Sequence, residues 1–184
     1  MNGVIIPFSS LRPTPWRNGG GETIEIASGA GGWDRGWEWR ISLATISDPG
    51  PFSTFGGLQR ILTVVDGGEL DLRIGTKVHR AHVNEPLGFD GSVPVAASLH
   101  GTGTGPIRAL NVIFKASAIR AHVEVGRLDR GTSLEAGHLA IMLDGEFSVG
   151  GRRLSRFDTV LGCTPPAVVD GQGLLARITL GPRA

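Results

Sequence analysis

The clearest pattern along the chain is a strict alternation of apolar and polar side chains in WEWRISLATI. One parity holds Trp37, Trp39, Ile41 and Leu43, and the other holds Glu38, Arg40, Ser42 and Ala44. A period of two predicts a β-strand with one apolar face. Five further runs predict short strands separated by turns: Glu22 to Ala27, Gln59 to Val65, Gly68 to Ile74, Pro94 to Leu99 and Ile107 to Phe114. Residues 116–120 form at most one helical turn.

A strand, an Asp-Gly pair and an alternating strand occur twice, around Asp66 and again around Asp144. Two further echoes follow in the same order, LGFDG with SRFDT and IRALNVIF with LLARITL. They predict two similar all-β halves, residues 1–115 and 116–184, with equivalent Asp-Gly turns. Chance similarity among strand-turn-strand sequences is the alternative. Small sheets with exposed edges are expected to close into barrels or sandwiches.

Composition narrows the class of protein. The chain has 184 residues, and 18 basic against 17 acidic side chains give a net charge of +1, without the basic excess of a nucleic-acid binder. No run of about 18 apolar residues occurs, so no membrane span is predicted. The single cysteine, Cys163, excludes an intrachain disulfide, and MNGVIIPFSS lacks the features of a signal peptide. We therefore expect a cytoplasmic protein.

Several motifs in the first half resemble one bacterial family. They are PWRNGGGETIEI (Pro15 to Ile26), WRISLA (Trp39 to Ala44), GPFS (Gly50 to Ser53), Arg60 within GGLQRILTVVDG, PLGFDG (Pro86 to Gly91) and the strand that contains Asn111. Together they resemble the HutD/Ves family, which is associated with histidine utilisation. The second half matches more weakly, and Phe114-Lys115 departs from the family's usual pattern.

The resemblance implies an all-β bicupin, with two cupin-like jelly-roll barrels in one chain. It implies a binding or regulatory role more than a reaction. The half formed by residues 1–115 would hold the ligand pocket, and residues 116–184 would form the smaller half.

Cupin barrels prompt a test for a metal site, which takes two His, a Glu, and a Gly seven residues beyond that Glu. Seven residues before Gly67 stands Arg60, and seven before Gly145 stands His138, with no histidine pair preceding either. A lone imidazole does not supply the three or four ligands that zinc or iron needs. His79 and His82 are predicted on a surface hairpin. We expect no metal and no cofactor.

Catalytic signals are thin. Cys163 precedes Thr164 and two prolines, and no GxSxG elbow occurs, so a nucleophile is not indicated. Paired carboxylates for acid–base chemistry would be Glu22 with Glu25 or Asp66 with Glu69, all near turns, and they are interpreted as solvated loop charges. No catalytic residue is therefore assigned.

The remaining chemistry is anion binding. Arg40 and Ser42 share the polar face of their strand, and Arg60 stands at a barrel-facing position by the cupin count. Two guanidinium groups would then point into one cavity, and their planar forks match a carboxylate. Alternatively, Arg40 faces solvent or pairs with Glu38 or Glu25, since parity does not tell which face looks inward.

Three further residues complete the predicted ligand site. Asn18 and the glycines after it offer either a backbone anion nest or a simple turn with Asn18 in a left-handed conformation. Trp16 either stacks on a planar ligand or packs in the core. Asn111, on an apolar strand face, is either a pocket group or an internal bracket.

We expect a metal-independent bicupin that binds a small carboxylate metabolite and acts in, or regulates, histidine utilisation. The ligand class, urocanate or a formylated glutamate, is implied by the resemblance. A metal-independent enzyme acting on such a metabolite and a protein-interaction module are the alternatives. Neither nucleic acid nor membrane is an expected partner, and exposed strand edges are compatible with a homodimer.

Overall fold

The computed structural model describes residues 4–29, 38–100 and 105–183, and Trp37 lies outside them. Within these residues the one helical element is the 3-10 turn Phe8–Ser10, and no helix is long and apolar enough to cross a membrane. Everything else regular is strand: β1 Val4–Ile6, β2 Pro13–Pro15, β3 Gly21–Gly29, β4 Trp39–Ile46, β5 Gly50–Pro51, β6 Gln59–Asp66, β7 Glu69–Ile74, β8 Lys77–Ala81, β9 Leu87–Asp90, β10 Val95–His100, β11 Ile107–Phe114, β12 Ile119–Leu128, β13 Thr132–Leu134, β14 His138–Val149, β15 Arg152–Leu154, β16 Thr159–Leu161 and β17 Ala167–Pro182. The all-β prediction is confirmed.

The chain forms two compact units. The first unit is Arg12–Ile119 with Arg183, and the second is Arg120–Pro182 together with residues 4–11. This division differs from the predicted one at the amino terminus. Residues 4–11 belong to the second unit because β1 pairs antiparallel with β16, more than 150 residues away in the sequence.

The first unit packs two antiparallel sheets face to face. One sheet has six strands in the order β2-β3-β4-β11-β6-β9, and the other has four in the order β5-β10-β7-β8. Their facing apolar side chains form one core, in which Leu62 and Val64 of the larger sheet meet Leu70 and Leu72 of the smaller. All four are fully buried, so this core holds the two sheets together.

Strand register decides which side chains of the larger sheet face the smaller one. Arg40 lies opposite Ile113 of β11, and Ile113 lies opposite Arg60 of β6. Residues directly opposite each other point to the same face of a sheet. Both arginines therefore share one face, and Ser42 joins them because it lies two residues from Arg40.

The sequence predicted a turn between two paired strands at each Asp-Gly pair, and the structure has such a hairpin at neither. β6 and β7 belong to different sheets, and Asp144 and Gly145 lie inside the continuous strand β14. Gly67 and Gly145 nevertheless have similar roles, with φ of +90° and +114°. A Cβ atom would collide with the backbone of Pro106 at Gly67 and of Gln172 at Gly145. Both glycines allow the close approach of a neighbouring strand.

The second unit is built on a seven-stranded sheet, with β14 and β17 at its centre. Its buried apolar side chains form a core that includes Met142, Phe147 and Leu175. The amino-terminal segment is fixed to this unit by Asp158, whose carboxylate accepts hydrogen bonds from the backbone amides of Phe8 (2.8 Å) and Ser155 (2.9 Å).

Candidate functional site

The first unit contains a cavity of about 630 Å³, which opens beside β2, β3 and the segment that follows β5. The structure places all six predicted ligand-binding residues in its wall. The lining residues are Thr14, Pro15, Trp16, Arg17, Asn18, Thr23, Glu25, Arg40, Ser42, Ala44, Pro51, Phe52, Ser53, Phe55, Arg60, Asn111 and Ile113. Three of them are arginines and one is a glutamate, so the lining side chains carry an excess of positive charge.

Arg60 is the most deeply placed of these cations, with 5% of its surface exposed. Its Nη2 donates to Asn111 Oδ1 over 2.8 Å, and its Nη1 donates to the carbonyl oxygen of Ser53 over 3.2 Å. Its buried Nε has no hydrogen-bond partner among the described residues. The hydrogen-bond partners that the structure gives Arg60 are thus neutral.

Aromatic rings surround the same guanidinium group. The Arg60 Cζ atom lies 5.5 Å from the ring centroid of Phe52, 5.3 Å from that of Phe55 and 5.1 Å from that of Phe89. Arg40 approaches the Phe55 ring as well, at 6.0 Å. Cation–π contacts of this kind partly compensate for lost water, and they hold the guanidinium plane in place.

The two arginines are electrostatically unlike. Burial, and to a lesser extent the charge of Arg40, lowers the pKa of Arg60 to about 10. Burial also lowers the pKa of Arg40, but the Glu25 carboxylate opposes that change. Both groups are charged at neutral pH, and Arg60 carries the charge that its surroundings stabilise least.

Asn111 and Ser42 form the row of side chains next to the arginines, since they lie opposite each other on β11 and β4. Asn111 Nδ2 donates to the carbonyl of Ala109 over 3.3 Å, which fixes its amide with the oxygen toward Arg60. Asn111 thus acts as an internal bracket and also lines the cavity. Ser42 and Ala44 are small, which leaves space in front of the guanidinium groups.

Trp16 and Asn18 lie at the mouth. Trp16 Nε1 donates to Thr23 Oγ1 over 2.8 Å, and the indole meets the Phe52 ring edge-on at 6.0 Å. It both packs against the core and lines the cavity. Asn18 Oδ1 accepts from the amide of Gly20 over 3.2 Å, and Gly19, with φ of +73°, is the left-handed residue in place of Asn18. This is the turn alternative, because these amides bond within the turn.

Two contributors were not found from the sequence. Glu25 was interpreted as a solvated charge near a turn; its side chain is exposed, but it lies within β3 and lines the cavity. Phe55 carried no signal, because a phenylalanine in a glycine-containing loop predicts neither burial nor contact. Strand parity could have indicated Glu25, since Glu25 lies two residues from Thr23, which also lines the cavity.

The positions of the histidines are as follows. His79 and His82 are exposed, as predicted, and His82 Nδ1 lies 2.7 Å from Glu69 Oε1. His138 begins β14 in the second unit. Within residues 4–29, 38–100 and 105–183, no group of three or more His, Cys, Asp or Glu side chains is arranged to hold a metal ion.

Comparison with protein families places these features in context. The model of the HutD family matches residues 9–175. An uncharacterised 21.2 kDa protein from Pseudomonas putida, named for its position in the 3′ region of hutC, is 38% identical over 111 residues, which are 60% of this chain and 57% of that protein. Protein Ves from Citrobacter koseri is 31% identical over 153 residues, which are 80% of this chain and 78% of that protein.

Solved structures agree. HutD from Pseudomonas fluorescens SBW25 is 28% identical, with a TM-score of 0.81 over 98% of this chain and 99% of that one. A cupin 2 conserved barrel domain protein from Leptotrichia buccalis is 12% identical, with a TM-score of 0.54 over 98% of both chains, and shows likeness of fold alone. The predicted cupin-like architecture is confirmed.

Proposed function

Because this chain belongs to the HutD family, we propose that its first unit is a receptor for a small carboxylate metabolite. Binding uses Arg60 and Arg40, and it serves histidine utilisation or its regulation. The names of two similar proteins support the link to this pathway, since one is called HutD and another lies beside hutC.

The observation that carries the proposal is the state of Arg60. A buried cation is costly unless a negative charge accompanies it. Here the hydrogen-bond acceptors of Arg60 are an amide oxygen and a backbone carbonyl, and its other neighbours are aromatic rings. A carboxylate in the adjoining cavity supplies the missing charge and accepts hydrogen bonds from the guanidinium fork.

The rest of the wall suits a small planar ligand. Trp16 and Phe52 provide apolar surfaces at the mouth, and Ser42 and Asn111 provide polar groups deeper in the cavity. A cavity of about 630 Å³ lies within the range of small-molecule sites. Urocanate and N-formyl-L-glutamate, intermediates of histidine breakdown, both carry a carboxylate and are the ligands to test.

Titration calorimetry with these two compounds tests the proposal. Hydrogen bonds to charged groups contribute about 1.5–3 kcal/mol each, so Arg60→Ala and Arg40→Ala should each weaken binding about 10- to 100-fold. Arg152→Ala, an exposed change in the second unit, is the matched control and should leave the affinity unchanged. Circular dichroism verifies that each variant is folded.

Equal binding by wild type and both cavity variants would contradict the proposal and move the site elsewhere. Consumption of either compound by wild-type protein would favour an enzyme. In the same titration, Trp16→Leu should lower the affinity for urocanate more than the affinity for N-formyl-L-glutamate, because only the planar ring of urocanate stacks on the indole.

A further inference from the structure

The cavity has an anionic side that carboxylate binding does not use. Glu25 lies on β3, whereas Arg60 lies on β6, three strand spacings away in the order β3-β4-β11-β6. Three spacings separate the two backbones by about 14 Å. A ligand held by Arg60 can therefore extend across the sheet toward the carboxylate of Glu25.

Strand register orients Glu25 toward the cavity, and a β-bulge brings Ser28 to the same face. Glu25 lies opposite Ser42, but the register shifts at the next residue, so Ser28 lies opposite Arg40. Ser42 and Arg40 both face the cavity, and Glu25 and Ser28 consequently face it too. Bulges next to functional sites often redirect a side chain in this way.

The same bulge fixes the orientation of the carboxylate. Because Glu25 and Ser28 share a face, Ser28 Oγ can donate to Glu25 Oε1, and does so over 2.9 Å. A carboxylate has about four lone-pair sites on two oxygens, so Glu25 can accept a hydrogen bond from a ligand in addition to Ser28, with Arg40 as its charged neighbour. Glu25 is thus a held acceptor at the wall of the cavity.

We propose that Glu25 selects, among carboxylates, those that also carry an N–H donor such as an amide or an azole ring. This inference rests on the proposed function, since Arg60 must hold the carboxylate end. The N–H group of the ligand donates to the Glu25 carboxylate, and an analogue with oxygen in that place leaves the acceptor facing an oxygen lone pair instead. Hydrogen bonds to an ionised acceptor are about twice as strong as neutral ones.

A matched pair of probes tests the selection. 4-Acetamidobutanoate and 4-acetoxybutanoate have the same carboxylate, the same three-carbon spacer and the same acetyl group, and they differ by N–H against oxygen. Protein NMR titration measures millimolar dissociation constants for both. Wild type should bind 4-acetamidobutanoate about tenfold more tightly than 4-acetoxybutanoate.

Three variants assign the effect. Glu25→Leu should abolish the preference, and Glu25→Gln, which keeps a neutral acceptor, should retain part of it. Glu22→Gln is the matched control, because Glu22 lies on the same strand opposite Thr45 and so points to the other face. It should keep the full preference.

Each other result has a distinct meaning. Equal binding of both probes by wild type would overturn the selection by Glu25 and leave carboxylate binding intact. An equal change for both probes in Glu25→Leu would also overturn it, since Glu25 would then act only as a counter-charge to Arg40. If neither probe bound wild type, carboxylate binding itself would fail, and the inference with it.

Discussion

Replacing Arg60 by methionine distinguishes a group kept for binding from one kept for stability. Methionine preserves the apolar stem and can contact Phe52, Phe55 and Phe89 through its sulfur, but it removes the charge. If Arg60 serves a ligand, the empty protein should tolerate this change. If Arg60 is a structural bracket, the change should unfold or loosen the first unit.

The structure gives the magnitude of each contribution. Burial that lowers the pKa of Arg60 to about 10 means that folding disfavours its charged form by about 3 kcal/mol at neutral pH. Arg60→Met relieves this cost. Against it stand two lost hydrogen bonds, to Asn111 Oδ1 and Ser53 O, of about 1 kcal/mol each, and about 1 kcal/mol for the amide of Asn111 left without its donor. The contributions nearly cancel, so we expect a net change within about 1 kcal/mol.

Urea unfolding at pH 7, followed by tryptophan fluorescence, measures the free energy of unfolding. The double variant Arg60→Met with Asn111→Leu also removes the unsatisfied amide, and it should be at least as stable as Arg60→Met alone. A loss of about 3 kcal/mol or more in the single variant, without recovery in the double variant, would refute the reasoning. Arg60 would then be a structural residue.

Three further results are expected. Carboxylate affinity should be steady from pH 7 to 9 and fall above pH 10, because the lowered pKa of Arg60 lets the ligand-free protein lose this charge at high pH. Calorimetry at pH 8 and 10.5 measures the difference, and equal affinity at both values would contradict the prediction. Asp158→Ala should lower the free energy of unfolding by roughly 3 kcal/mol in the same urea assay, because the backbone amides of Phe8 and Ser155 lose their acceptor. Glu146→Ala is the control and should change the free energy of unfolding little, because Glu146 forms an exposed ion pair. Elemental analysis of purified protein should find no stoichiometric transition metal, and one equivalent that survives dialysis would contradict the metal-free prediction.

Local sequence patterns predicted several of the strands. The alternation through Arg40 and Ser42 predicted β4, and the run from Ile107 to Phe114 coincides with β11. Strands are recognised from the period of two in their polar and apolar side chains, and this period can be seen directly in a sequence. Arg60 could be assigned to the cavity because its position was counted from Gly67, a glycine that the fold requires.

Long-range pairing could not be predicted. Nothing in the residues near Val4 indicates that β1 pairs with β16, and nothing near Asp66 indicates that β6 and β7 enter different sheets. An Asp-Gly pair favours a backbone turn whether the two strands that it joins pair as a hairpin or enter different sheets. The partner strands decide between them, and those lie far along the chain.

The candidate site also depends on long-range packing, which decides which face of β4 is inward. Parity places Arg40 and Ser42 together but does not tell which face is inward, and the bulge after Glu25 has no signature in ETIEIA. Without that bulge, Ser28 would lie on the face opposite Glu25. The hydroxyl of Ser28 thus reaches the Glu25 carboxylate through a backbone irregularity, which a pattern with a period of two misses.

The duplicated pattern also explains why we propose the binding site in the first unit. In β6 and β11, Arg60 lies opposite Ile113, and in β14 and β17 the position counted equally from Gly145 holds His138 opposite Thr179. Beyond Arg40 on β4, the next two positions on the same face are small, Ser42 and Ala44, and both line the cavity. In the second unit, Met142 lies four residues beyond His138 and opposite Leu175, and both side chains belong to the buried core. Small residues beneath paired guanidinium groups leave the space in which a carboxylate can meet both charges.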